Sequence, residues 1–151
     1  MTMIISITLL FGVNFGYKKN QNPVDDYVKF LNVNKLDYGY GSFWGMNMSV
    51  NWLSKGAIHI TPVYFSKSDG SVDFKSVRVQ TLSTWHKKEF INSQPPRHFI
   101  AISKGMSGDR CMDIELCVAG VQKQIGKADE ILKYNDMTFL IYANPIQTGI
   151  D

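Results

Sequence analysis

Apolar and polar positions alternate along this chain in short periodic blocks, and the blocks divide it into elements. The first is an apolar run, Met3 to Phe15. It is shorter than the about 20 residues that cross a bilayer core. No Lys or Arg precedes it and no small-residue cleavage motif is clear, so it lacks the marks of a secretory leader. Gly16-Tyr17-Lys18-Lys19 then has the composition of a membrane exit with an interfacial aromatic. Residues 1–17 read as the end of a membrane helix, with an interfacial anchor and an ordinary buried segment as alternatives. Residues 18–23 read as a linker, and the Lys pair alone would favour a cytoplasmic side.

Val24, Tyr27, Val28 and Leu31 recur at helical spacing, after Pro23 and beside Asp25 and Asp26. That places a helix start at Pro23, with the acids complementing the dipole. The two adjacent acids point about 100° apart on a helix, which argues against a catalytic carboxylate pair.

The stretch from Tyr38 to Val63 organises the rest. Gly39 and Gly41 alternate with Tyr38 and Tyr40, ahead of Phe43 and Trp44, and read as a tight turn lined by rings. Ser42 is placed as N-cap of a helix with Phe43, Met46, Val50 and Leu53 on one face, Trp44, Met48 and Trp52 on a second, and Asn47 and Asn51 as a polar ridge. Lys55-Gly56 stops it. A strand from Ala57 to Val63 follows, its Pro62 marking an edge or a strand end. Rings at this spacing are core by default, the reading taken for Phe43, Met46, Trp52 and Leu53. A stacking face for a sugar or a lipid headgroup is the sharper alternative, confined to Tyr38, Tyr40 and Trp44.

Asp69-Gly70 marks a hairpin turn, with a partner strand over Val72 to Thr81. A short helix follows from Ser83 to Ile91. Within it Trp85-His86-Lys87-Lys88, with Arg97-His98 downstream, is the most basic patch. It is either a solvated helix face or an anion site for a phosphate or headgroup. Arg97 to Ser103 is a continuous apolar strand of central type. Cys111 to Ile125 reads as a helix with Ile114, Cys117, Val118, Val121 and Ile125 inward, stopped by Gly126. Ala128 to Tyr134 and Met137 to Ala143 read as strands joined at Asn135-Asp136, the second fully interior. The sum is a mixed α/β (α+β) fold over residues 24–145. It has a small mixed sheet of about five strands with helices packed on it, and a loose tail at 146–151.

Composition narrows the function classes. The chain has 151 residues, 44% hydrophobic and 19% charged, which is a globular balance. A net charge of +3 without a dense Lys/Arg stripe gives no nucleic-acid footprint. The loop Lys104-Gly-Met-Ser-Gly-Asp109 lacks the Gly-Lys-Ser/Thr of a phosphate loop. Neither a metal-ligand set nor a Ser-His-acid spacing is present, so no cofactor and no metal are expected. If Cys111 and Cys117 share one helix they lie about 9 Å apart along its axis, beyond disulfide reach, and read as two buried thiols.

Tyr38-Gly-Tyr-Gly-Ser-Phe-Trp44, the helix after it, Leu53-Ser-Lys-Gly56, the strand ending Pro62-Val63 and the late strand Thr138-Phe-Leu-Ile-Tyr142 carry a resemblance. Together they resemble the C-terminal soluble domain of multi-spanning bacterial glycosyltransferases that use polyprenyl-phosphate sugars. These are the serotype-converting, prophage-type enzymes of O-antigen modification. The resemblance runs from Asn22 to Pro145 in order of elements. It implies an inner-membrane protein with this domain in the periplasm, the transmembrane part as partner, and a glycan or polyprenyl-phosphate ligand. Such a family keeps its catalytic acids in an early loop between membrane helices, a region with no counterpart here, so no catalytic residue carries over. Candidate binding residues are Tyr38, Tyr40, Trp44, Trp85, His86, Lys87 and Arg97. Two other readings stand beside this one. The chain could be a stand-alone membrane-tethered module or decayed prophage product. It could also be a soluble enzyme in which histidines among His59, His86 and His98 converge with Asp73 or Asp113.

Overall fold

The computed structural model describes residues 22–44, 46–106 and 109–150, so the apolar run of residues 1–17 and most of the linker lie outside the described residues. Helix α1 (Pro23–Val33) starts where Pro23 and the first-turn acids place it, and the Asn22 side chain accepts the Val24 N–H at its N-cap. Strand β1 (Tyr38–Gly41), helix α2 (Asn47–Leu53) and strand β2 (His59–Pro62) follow. Next come a two-residue hairpin, β3 (Tyr64–Phe65) and β4 (Val72–Asp73), a 3-10 turn (Ser83–His86) and helix α3 (Lys88–Asn92). Strand β5 (His98–Ser103), helix α4 (Ile114–Ile125) and strands β6 (Glu130–Tyr134) and β7 (Met137–Tyr142) complete the order.

Five strands form one mixed sheet in the order β2-β1-β5-β7-β6. β1 is parallel to both β2 and β5, while β7 is antiparallel to β5 and β6. The expected mixed α/β fold with about five strands is therefore the fold observed. Pro62 ends the edge strand β2, where its missing N–H removes no ladder bond from an interior strand. The apolar runs Phe99–Ile102 and Phe139–Ile141 are interior and buried. One face of the sheet packs Phe99, Ala101, Phe139 and Ile141 against Tyr27 and Leu31 of α1 and Val50 of α2. The other packs Tyr38, Tyr40, Ile100, Ile102 and Leu140 against Cys117 and Val121 of α4 and against the β3–β4 hairpin.

Tyr38–Gly41 is a strand, not the expected turn. Neither Gly39 nor Gly41 takes a positive φ; their function is space. Side chains alternate across a strand, so the two tyrosines enter one core and the glycines face the other. There a Cβ on Gly39 would stand 2.5 Å from the Phe99 carbonyl oxygen and 2.6 Å from its ring.

Five further expectations are corrected. Helix α2 begins at Asn47 rather than after Ser42, which turns Trp52 (79% exposed) and Leu53 outward and buries Asn47. Asn47 is no ridge residue: it accepts from Tyr27 Oη at 2.9 Å and donates to the Ser42 carbonyl at 2.9 Å. The strand expected through Thr81 stops at Asp73, whose carboxylate accepts the N–H groups of Lys75 and Ser76 and draws the backbone out of the ladder. Helix α4 begins at Ile114, capped by Asp113, so Cys111 precedes the helix and bonds to Cys117 as a disulfide with Cα atoms 6.3 Å apart. The tail is also held. Ile146 is buried, its N–H donates to His98 Nδ1 at 3.0 Å, and Ile150 packs on the core.

Candidate functional site

The chain leaves β1 and β5 in opposite directions, to β2 on one side and to β6 on the other. Open sheets bind ligands outside the carboxyl ends of parallel strands, at the point where neighbouring connections diverge. Here that point lies between Ser42 to Trp44, after β1, and the described residues after β5, Lys104 to Met106 with Asp109 and Arg110. A cavity of about 100 Å³ opens there, walled by Trp44, Asn47, Ser103, Lys104, Arg110 and Asp136 among others. A second, wider cavity of about 330 Å³ lies on another side of Trp44, against Tyr64, Arg78 and Val79.

Polar contacts within this region fix Trp44 by its backbone. Its N–H donates to Asp109 Oδ2 at 3.1 Å, and its carbonyl accepts from Ser42 Oγ at 3.1 Å. Ser42 Oγ also lies 3.0 Å from Ser103 Oγ, which ties the β1 and β5 ends together. Asp109 is fully buried, and Arg78 Nη1 stands 3.6 Å from its Oδ2. The Arg78 guanidinium is layered on rings, 4.5 Å from the Phe43 centroid, 5.6 Å from Trp44 and 5.7 Å from Tyr64. Burial and stacking of this kind keep a guanidinium in one orientation. The loop holding Asp109 is closed at its base, where Cys111 N–H donates to the Ser103 carbonyl and Gly105 N–H to the Cys111 carbonyl. The disulfide anchors the same Cys111 to α4. Trp44 itself remains 48% exposed, with Phe43 edge-on to its ring at 5.2 Å.

The residues singled out from the sequence do not form one site. Tyr38 and Tyr40 are buried at 0% and 1% exposure, in edge-on contact with each other and with the His98 ring, and burial pushes both phenols up. They serve the core and offer no stacking face. Trp85 lies edge-on to His59, 4.5 Å between centroids, and His59 pairs with Tyr38 at the amino end of β1. Trp44 lies beyond the carboxyl end of the same strand, whose four residues alone span about 10 Å. His86 is buried with Nδ1 3.2 Å from the Phe74 carbonyl, while Lys87 is exposed. Arg97 is spent on Glu130 at 2.8 Å. Within the expected basic patch, His86 is therefore turned inward and Arg97 is paired with Glu130. Of the seven, Trp44 alone stands at the switch point.

The soluble-enzyme reading required histidines meeting an acid in a cleft. His59 and His86 are near enough that His86 helps depress His59, which burial holds down at about 4. Asp73, however, is the exposed last residue of β4 with its carboxylate bound to backbone, and Asp113 caps α4. Among the described residues no histidine shares a hydrogen bond or an ion pair with a carboxylate, and no group of three or more metal-ligating side chains comes together.

Arg78, Asp109, Lys104 and Arg110 were not singled out from the sequence. Asp109 and Trp44 are 65 residues apart, and no local spacing announces such a pair. Arg78 sits in regular alternation between Val77 and Val79, so nothing local set it apart.

The chain matches no protein-family model, no curated protein and no solved structure. No helix among the described residues is long and apolar enough to cross a membrane.

Proposed function

We propose that this chain is an accessory, glycan-binding C-terminal lobe of a membrane glycosyltransferase, one that moves a sugar from a polyprenyl-phosphate carrier to an envelope glycan such as O-antigen. In this reading the lobe acts in the periplasm beside a transmembrane part that performs the transfer. The observation that carries the binding role is the Trp44 indole: half exposed, fixed by its backbone, and set at the sheet's switch point between polar cavity walls. An aromatic face with hydroxyl, amide and charged groups around it is suited to a sugar ring, which has apolar C–H faces and hydroxyl edges. The disulfide fits an oxidising compartment. The buried Asp109 is occupied by Arg78 and the Trp44 N–H, and so is poorly disposed to act as a general acid or base.

A sugar-transfer assay with the purified chain and a polyprenyl-phosphate-linked sugar tests the reading. No transfer is expected from the chain alone, together with Trp44-dependent binding of the acceptor glycan. Turnover by the isolated chain, or no glycan binding, contradicts it.

A further inference from the structure

The crevice at the switch point has a charge asymmetry that a neutral sugar would leave unused. Lys104 and Arg110 both line it, against the single carboxylate of Asp136, while Ser103 and Asn47 add neutral polar groups. Arg110 forms no ion pair among the described residues, and its Nε is buried without a hydrogen-bond partner. Its neighbour Asp109 is fully buried, with Oδ1 also without a partner. Buried polar atoms without partners are uncommon in a native fold, and two of the six found among the described residues belong to this adjacent pair.

The backbone makes room for this arrangement. A Cβ on Gly105 would collide with Arg110 Cδ and lie 3.1 Å from its Nη1, so only glycine lets the Arg110 side chain lie across the loop. The same loop is closed by backbone bonds at Ser103 and Cys111 and by the disulfide. A guanidinium and an ammonium group lining one small cavity with an indole match a ring that carries an anionic substituent.

We propose that the crevice between the β1 and β5 ends binds a sugar bearing a carboxylate or phosphate, with Trp44 stacking on the ring and Arg110 and Lys104 holding the anion. The proposal rests on the glycan-binding reading and narrows its ligand from sugars in general to acidic ones.

The test is a titration of the full chain followed at the three tryptophan indole N–H signals by NMR. The ligands are glucuronate, glucose 6-phosphate, glucose and inorganic phosphate. The two acidic sugars are expected to shift the Trp44 signal and to bind at least about tenfold more tightly than glucose, the worth of a charge-assisted hydrogen bond. Comparing glucuronate with glucose 6-phosphate separates the carboxylate from the phosphate. Arg110→Gln should remove the advantage of the acidic sugars and spare glucose. Gly105→Ala, which leaves every charge in place, should lower the same advantage by displacing Arg110. Trp52→Ala, on the exposed side of α2, should change nothing. Equal affinity for glucose and the acidic sugars, or an unchanged preference in Arg110→Gln, overturns the anion assignment while leaving the glycan-binding reading intact. Inorganic phosphate binding as tightly as glucose 6-phosphate overturns the role of the ring. A Trp44 signal indifferent to every sugar overturns both readings.

Discussion

Asp109 accepts the backbone N–H of Trp44 across 65 residues of sequence, at 3.1 Å, and in doing so locks the loop after β1 to the loop after β5. The acid is fully buried and pairs with Arg78, 3.6 Å away. Asp109→Ala would strand the guanidinium and the Trp44 N–H together. A loss of about 3 kcal/mol in unfolding free energy is expected, read as a drop in the urea midpoint. A variant within a few tenths of a kcal/mol of the parent would show that the contact does not organise the site.

Cys111 and Cys117 close a loop of sequence separation 6. Restricting the unfolded chain over so short a loop contributes about 2 kcal/mol. The oxidised, denatured chain should show no titratable thiol, and Cys111→Ser with Cys117→Ser should lower stability by that amount. Two reactive thiols in the oxidised preparation would refute the bond. The same double variant should weaken sugar binding, because Cys111 anchors the loop of Asp109 and Arg110.

Gly39 faces Phe99 with no room for a side chain. Gly39→Ala should cost about 1–3 kcal/mol through overpacking of the α1 side of the sheet, visible as a lowered thermal midpoint. Trp52→Ala, at 79% exposure, should stay within about 0.5 kcal/mol of the parent. The pair of results separates the observed burial from the helix face that apolar spacing predicts.

His98 Nδ1 accepts the Ile146 N–H, which requires a neutral ring. Burial holds His98 down at about 4 against the pull of the Pro95 carbonyl, and burial with His86 holds His59 at about 4. Both values lie below the ordinary 6.5, so the unfolded chain takes up these protons first. Stability should therefore be level in these groups above about pH 6.5, fall as the pH drops toward about 4, and level again below it. Urea midpoints taken across that window check the sign. His98→Gln should flatten part of the slope, and a parent midpoint that does not move would contradict the buried, neutral assignment.

How far the fold was legible follows from what each residue does locally. β5 and β7 announced themselves as unbroken apolar runs because they are buried on both faces of an interior position. Pro62, Asp69-Gly70 and Asn135-Asp136 marked chain reversals and strand ends through their own backbone preferences. β1 was hidden because its glycines look like a turn, while their purpose, room for Phe99, is set by a strand 60 residues away. The disulfide was hidden by a helix start misplaced at Cys111, since periodicity does not distinguish the N-cap Asp113 from helical interior. At the site, Trp44 was visible as a ring beside glycines. Arg78, Lys104, Asp109 and Arg110 were not, because the sheet's crossing connections bring them together and no sequence interval records that.

The most direct measurement of the central claim is the indole N–H spectrum of this chain during titration with an oligosaccharide of the envelope glycan. The account predicts a saturable shift at Trp44, abolished by Trp44→Ala, with Trp52 and Trp85 unmoved. A shift confined to Trp85, or no shift at any tryptophan, would contradict it.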